Sequence, residues 1–193
     1  MNSYFDSLPP AELAALSSGL LVARLVLGAY MAAHGAQKLF GWFGGHGLAN
    51  TSAAFEKMGF RPGRAFVITA SSAEIVSGLL VAAGFLGPVG PALMISVLIV
   101  AAVTVHWQNG WFVTSHGIEH TAIFGATAFA LALTGPGMFS LDAALGLGAL
   151  WSPRIAWLAI GVAVVGAIGN LGVRRLPRKV NAQRSTTTQT STT

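Results

Sequence analysis

No cysteine occurs in this sequence of 193 residues, which excludes disulfides, thiolate metal sites and thiol–disulfide exchange. Charge is also scarce, because Asp, Glu, Lys and Arg together make up 9% of the chain, against about a quarter in soluble proteins. Apolar residues reach 53%, so polar side chains are too few to cover a surface that faces water. We therefore expect lipid to solvate much of the surface of a single integral membrane domain.

Basic residues outnumber acidic ones, giving a net charge of +5, and such a balance sometimes indicates a nucleic-acid partner. Here, however, Lys and Arg stand at the ends of apolar runs and in the C-terminal tail rather than along one helical face. That placement is typical of membrane proteins, in which basic residues flank the spans. We predict no nucleic-acid partner.

Five apolar segments are candidates to cross a hydrocarbon core, which takes roughly 20 helical residues. They cover residues 16–40, 64–86, 91–107, 117–134 and 154–173. The more polar stretch 46–60 predicts a short helix on the membrane surface, and Ser140 predicts the N-cap of another short helix. The predicted fold class is therefore all-α, a polytopic bundle of membrane helices.

With five spans, the first loop, the third loop and the C-terminus share one side of the membrane. That side carries the basic residues Lys38, Lys57, Arg61, Arg64, Arg174, Arg175, Arg178, Lys179 and Arg184, whereas the other side carries only Arg154. The positive-inside rule then places the N-terminus outside and the C-terminus in the cytoplasm. We predict an extracytoplasmic segment (1–15), a membrane core (16–150), an additional span (151–176) and a disordered basic and polar cytoplasmic tail (177–193).

Arg24 and Glu74 lie deep inside predicted spans, where ionisable groups are costly and mark candidate functional sites. Counted along the helices from Lys38 and Arg64, they lie about 21 Å and about 15 Å from the inner surface. The long arginine side chain bridges such a difference, so we predict a buried ion pair between Arg24 and Glu74. A structural tether and a role in proton or ligand handling both remain open.

A second group of ionisable residues falls at one level toward the inner side, namely His34, Lys38, His106, Glu119 and His120. We predict that at least three of them line one pocket that opens toward the cytoplasmic leaflet, with Trp42 or Trp107 in its wall. Three interpretations remain open: a polar belt at head-group depth, a site for a quinone or another redox cofactor, and a His/Glu metal site. No two of these histidines have the spacing within one helix that is diagnostic of metal ligands, so we assign no metal. The cofactor is unknown, and a quinone is the candidate.

Seven pieces of the sequence occur in the order typical of the DoxX family, which the chain resembles over residues 19–142. They are Arg24 with Gly28, HGAQKLFGWFGGHGL (34–48), FEKMGF (55–60), AEIVSGLLVAAGFLG (73–87), His106, GIEH (117–120) and GPGMFSLD (135–142). The resemblance implies a four-helix membrane core, to which the span at 154–173 is an addition. The matching positions are Arg24, His34, Gly35, Lys38, Glu74, Gly78, Glu119 and Asp142.

The resemblance also implies association with redox systems, because relatives serve as the membrane subunit of a thiosulfate:quinone oxidoreductase or partner a superoxide dismutase and a sulfurtransferase. We accordingly expect a multi-pass protein of the bacterial inner (plasma) membrane that is a subunit or anchor of a quinone-linked or oxidative-stress complex. Its expected partners are the lipid bilayer, a soluble redox protein and further copies of the chain. Catalytic activity of its own stays open. The alternatives are a small-solute or proton transporter that uses Arg24 and Glu74, and a membrane scaffold without a ligand.

Overall fold

The computed structural model describes residues 8–175, which form helices joined by short loops. Within this range the α-helices are α1 (Pro10–Phe40), α2 (Gly47–Lys57), α3 (Gly63–Ala83), α4 (Val89–Ala101), α5 (Glu119–Thr134), α6 (Leu141–Ala144) and α7 (Pro153–Gly172). A π-helical turn (Ala102–His106) and a 3-10 turn (Trp107–Asn109) continue α4, and other 3-10 turns lie at Trp42–Gly44, Val113–Ser115 and Gly148–Trp151. The predicted all-α membrane bundle is confirmed.

The two predicted terminal segments lie wholly or partly outside residues 8–175. The tail predicted to be disordered, residues 177–193, lies outside the described residues, and so do residues 1–7 of the predicted N-terminal segment. The remainder of that segment largely belongs to α1, which begins at Pro10 rather than at residue 16. Proline suits the first turn of a helix because its fixed backbone angle is already helical and its missing N–H needs no partner there.

Four helices in the described range are long and apolar enough to cross a membrane: Pro10–Phe40, Gly63–Ala83, Val89–Asn109 and Pro153–Gly172. The chain is therefore a multi-pass membrane protein. Helix α5 is shorter, since its 16 residues make about 24 Å of helix. A fifth crossing by α5 stays a prediction.

Contacts between distant parts of the chain define two ends of the bundle. At one end, the Arg175 N–H donates to the carbonyl oxygen of Gly59 at 2.8 Å, so the end of α7 meets the loop before α3. At the other, the Met138 N–H donates to Ser17 Oγ at 3.1 Å, so the first part of α1 meets the segment after α5. We call these the basic end and the Asp142 end. The first loop and the end of α7 thus lie together, as the five-span topology requires.

Helices α1 and α3 pack closely because glycines face each other between them. A side-chain carbon at Gly28 would overlap the carbonyl oxygen of Gly78, and one at Gly35 would lie 2.6 Å from the carbonyl oxygen of Ser71. Small residues at such positions allow two backbones to approach in a membrane. The contacts also fix the antiparallel register, with residue 28 opposite 78–82 and residue 35 opposite 71–75.

The centre of the bundle is apolar and lies around α4, which packs against α3, α5 and α7. Its buried members include Leu27, Met31, Val81, Met94, Leu98, Ala128, Leu131, Ile160 and Ala163. The outward faces carry large apolar side chains as well, such as Leu158 and Val162 of α7 at 69% and 71% exposure. A helix that is apolar all round belongs in lipid, so these faces are the ones that meet the hydrocarbon core.

Candidate functional site

A buried ion pair joins α1 and α3 toward the basic end. The ammonium group of Lys38 donates a hydrogen bond to Glu74 Oε1. The Glu74 side chain is 4% exposed and the Lys38 side chain 30% exposed, so the lysine reaches inward from the bundle's rim to neutralise a fully buried carboxylate. Within residues 8–175, Glu74 Oε2 and the hydroxyl of Ser71, one turn earlier on α3, have no hydrogen-bond partner.

The predicted pair between Arg24 and Glu74 is wrong. The only ion pair in the described part of the chain joins Glu74 to Lys38. Depths counted from Lys38 and Arg64 assumed that these two residues stand level, but the glycine contacts set residue 38 nearly opposite residue 70. Glu74 is therefore about one turn from the level of Lys38, and Arg24 lies about 15 Å farther along the bundle.

Arg24 instead belongs to the Asp142 end, where the residue is 2% exposed. It lies against Gly84, at which a side-chain carbon would overlap Arg24 Nη1, and its Nη2 donates to the carbonyl oxygen of Phe139. The nitrogens Nε and Nη1 have no partner within residues 8–175. The side chain is thus buried with two donors unused.

Asp142 organises the same end of the bundle, a role that the sequence indicated only through its place in GPGMFSLD. One carboxylate oxygen accepts from the Leu86 N–H at 3.0 Å, and the other accepts from the Gly87 N–H and from Trp151 Nε1, both at 2.7 Å. The turn between α3 and α4 needs this support because Leu86 has a φ of +62°, which is unfavourable for any residue other than glycine. The predicted N-cap is present too, since Ser140 Oγ accepts from the Ala143 N–H.

Three of the five residues predicted to share the inner level are linked by ring contacts that include Phe124. The ring centroids of His106 and His120 lie 4.4 Å apart at right angles, and those of His34 and His120 each lie 6.4 Å from that of Phe124. His106 Nδ1 contacts the carbonyl oxygen of His116 at 2.8 Å, and His34 Nδ1 contacts Gln37 Oε1 at 3.2 Å. His120 Nδ1 is buried without a partner in the described range. We call His34, His106 and His120 the histidine cluster.

The other two residues of that prediction point elsewhere. Lys38 turns to Glu74, and Glu119 Oε2 accepts from the Val113 N–H at 2.7 Å, which ties the loop before α5 to its first turn. Trp42 and Trp107 are 58% and 70% exposed, as expected of tryptophans at a membrane boundary. The structure thus brings three of the five residues close together, and a pocket lined by them stays a prediction.

Cavities are found at the opposite end from the histidine cluster. One of about 410 Å³ lies between the first part of α1, the end of α5 and the segment that leads to α7. A second of about 10 Å³ adjoins Arg24. Within residues 8–175, no group of three or more His, Asp or Glu residues has the geometry to hold a metal ion.

A comparison with known protein families found a match in the N-terminal part of the chain. The DoxX family model matches residues 19–107, which hold most of α1, all of α2 to α4 and the ion pair Lys38–Glu74. This segment is therefore similar to DoxX domains. The resemblance drawn from the motifs is thereby confirmed, although the match ends before GIEH and GPGMFSLD, and with them before Glu119 and Asp142. No curated protein and no solved structure matches the chain.

Proposed function

We propose that this DoxX-domain protein is the membrane subunit of a redox complex and that its histidine cluster holds a quinone head group at the basic end. The observation that carries the proposal is the unpartnered, buried Nδ1 of His120, which stands in a cluster with His106 and His34. A buried polar atom without a partner is costly, and a ligand atom that bonds to it removes that cost. The carbonyl oxygens of a quinone accept hydrogen bonds from imidazole N–H groups.

The surroundings of the cluster suit a flat apolar ring with polar edges. Phe124 provides an aromatic face between His34 and His120. When bound, a quinone supplies two-electron acceptor chemistry, whereas thiol–disulfide chemistry is excluded in a chain without cysteine. Holding the head group in place is the part that we assign to this chain, and no catalytic residue of its own is needed for it.

Lys38 and Glu74 supply the charge near the cluster, because Lys38 stands one helical turn after His34 on α1. Glu74 keeps one free carboxylate oxygen in the described structure, and Lys38 stays partly exposed. Such a pair is able to hold or pass a proton between the boundary of the membrane and the interior. We assign proton supply to this pair and ligand binding to the histidine cluster.

A soluble partner that donates electrons is part of the proposal. Lys57, Arg61 and Arg64 are exposed on and beside α2 at the basic end, where they form a surface for an acidic protein. By the positive-inside rule this end faces the cytoplasm, so the proposed location is the bacterial inner membrane with the N-terminus outside.

The experiment is a titration of the purified protein in detergent with a short-chain quinone. We expect His120→Leu to weaken quinone binding at least about tenfold and His34→Ala to weaken it as well. His46→Ala is the matched control, because His46 is exposed before α2 and away from the cluster. Equal quinone affinity in the wild type and in a folded His120→Leu protein would contradict the proposal. A normal unfolding temperature establishes that the variant is folded.

A transporter remains the second candidate, now built on Lys38 and Glu74 rather than on Arg24 and Glu74. The partly exposed lysine and the free oxygen of Glu74 favour it over a scaffold without a ligand. Two results together would select this alternative. The wild type would show no quinone binding, and proton flux into liposomes would disappear in Glu74→Gln.

A further inference from the structure

The 410 Å³ cavity at the Asp142 end has the size and lining of a site for a small apolar molecule. Leu13, Leu20 and Leu133 provide apolar walls. Its rim includes Leu16 and Met138, which are 40% and 48% exposed, so the cavity opens on the outer surface of the bundle. In a membrane protein, that surface gives access to amphiphiles from the bilayer.

The polar groups in its wall already have partners. Ser17 Oγ accepts from the Met138 N–H, Ser140 Oγ donates to the carbonyl oxygen of Gly137, and Asp142 holds the α3–α4 turn. Unused hydrogen-bonding capacity lies one layer deeper, at Arg24. The 10 Å³ void beside Arg24 shares Gly135, Pro136 and Trp151 with the large cavity, so the two spaces are neighbours.

Charge at Arg24 is not balanced by a direct partner. In the described part of the chain no carboxylate lies within 4.0 Å of its guanidinium, and Nε and Nη1 have no acceptor. Glu74 is taken by Lys38, and both oxygens of Asp142 are taken by backbone N–H groups and Trp151. A buried cation in this state favours an anion that brings acceptor oxygens to it.

We infer that this end of the bundle binds an anionic amphiphile, with its apolar chain in the large cavity and a carboxylate or phosphate oxygen at Arg24 Nη1 and Nε. The size of the small void admits about one such atom. A long-chain carboxylate and an anionic phospholipid share this chemistry. The site is separate from the histidine cluster, so it does not depend on the proposed quinone-binding role.

Calorimetric titration of the purified protein in an uncharged detergent tests the inference. The probes are dodecanoate and a short-chain phosphatidylglycerol, with dodecanol as the uncharged analogue and inorganic phosphate as the head group alone. We expect at least one anionic amphiphile to bind and dodecanol to bind at least about tenfold more weakly, because only the charged head group satisfies Arg24. The tighter of the two anionic probes identifies the source of the ligand.

Two variants separate the head-group site from the cavity. Arg24→Met removes the donors and should weaken binding of the anionic probe to the level of dodecanol. Leu133→Trp fills the cavity while it leaves Arg24 in place, and should weaken binding at least about tenfold. Leu158→Trp, at a lipid-facing position of α7 that is 69% exposed, is the matched control with unchanged affinity.

Three results would overturn the inference. These are equal binding of dodecanol and dodecanoate, binding of inorganic phosphate as tight as that of the amphiphiles, and unchanged affinity in Leu133→Trp. The affinity of Leu133→Trp tests the inference even if Arg24→Met fails to fold. Leu133 is itself 39% exposed, so its replacement leaves the interior intact.

Discussion

The two ends of the bundle both bury charge, but they neutralise it in different ways. At the basic end, the Glu74 carboxylate is balanced by the ammonium group of Lys38, with polar atoms left free beside it. At the Asp142 end, the carboxylate bonds to backbone N–H groups and an indole, while Arg24 is left without an acid. Asp142 is therefore architectural, whereas the unused groups, His120 and Glu74 at one end and Arg24 at the other, are where ligands are expected.

The largest loss of stability is expected from Asp142→Ala. Three donors, the N–H groups of Leu86 and Gly87 and Trp151 Nε1, would lose their acceptor. At about 1–3 kcal/mol for each buried donor left without a partner, the free energy of unfolding should fall by roughly 4 kcal/mol. Thermal unfolding in detergent measures it. Ser152→Ala, which removes an exposed N-cap of α7, is the control. If Asp142→Ala lowers the free energy of unfolding no more than this control does, Asp142 does not hold this end.

Next in size is an asymmetric effect at the Lys38–Glu74 pair. Lys38→Met leaves a buried, unpaired carboxylate and should cost about 3 kcal/mol, whereas Glu74→Gln leaves a lysine that is 30% exposed and reaches water, and should cost less. A double-mutant cycle on the unfolding temperature checks it, and the double variant should lose less than the sum. Arg24→Met and Glu74→Gln should instead be additive, and coupling between them would restore the pairing that the structure contradicts.

A smaller effect is expected where α1 and α3 touch. Gly28→Ala forces the new methyl group against the Gly78 carbonyl oxygen and Ala82, so the helices must separate, at a cost of about 2 kcal/mol. Gly19→Ala is the matched control on the same helix, because no atom lies within 4 Å of a side-chain carbon there. The two variants should differ clearly in unfolding temperature. Equal values would mean that the close packing is not a source of stability.

Arg174→Met should have the smallest effect, a loss of about 1 kcal/mol. Its Nε donates to the carbonyl oxygen of Met58 at 3.0 Å, and its guanidinium lies 5.6 Å from the centroid of the Phe60 ring. Limited proteolysis in the loop before α3 measures the loosening of this contact between α7 and the basic end. Arg154→Met, at the start of α7 and exposed, should leave the cleavage rate unchanged.

The sequence predicted what depends on hydrophobicity and on helical spacing. Apolar runs placed the long helices, and the positions of His34, His106 and His120 near helix ends brought them together. The partners of the charged groups of Glu74, Arg24 and Asp142 were all missed. The pairing partner of Glu74 depends on the register between α1 and α3. Glycine contacts set this register, and the lengths of the helices alone do not predict it.

Asp142 was recognised only as a family position because its partners are backbone N–H groups, which leave no mark in the sequence. The signal that was available is the turn GFLGP before α4: a left-handed backbone at Leu86 needs an acceptor from elsewhere to hold it. The large cavity was unpredictable from the sequence, because residues that are far apart along the chain, in 13–20 and 133–153, line it.

The most direct test of the account is to map where a photoreactive short-chain quinone attaches to the purified protein, by mass spectrometry of its peptides. The histidine cluster and the Asp142 end are far apart in the bundle, so the labelled peptides distinguish them. We expect labels within residues 31–40 and 102–124, and we expect both labels to be lost in His120→Leu. Labels confined to residues 13–20 and 133–151, or unchanged in His120→Leu, would contradict a quinone site at the histidine cluster.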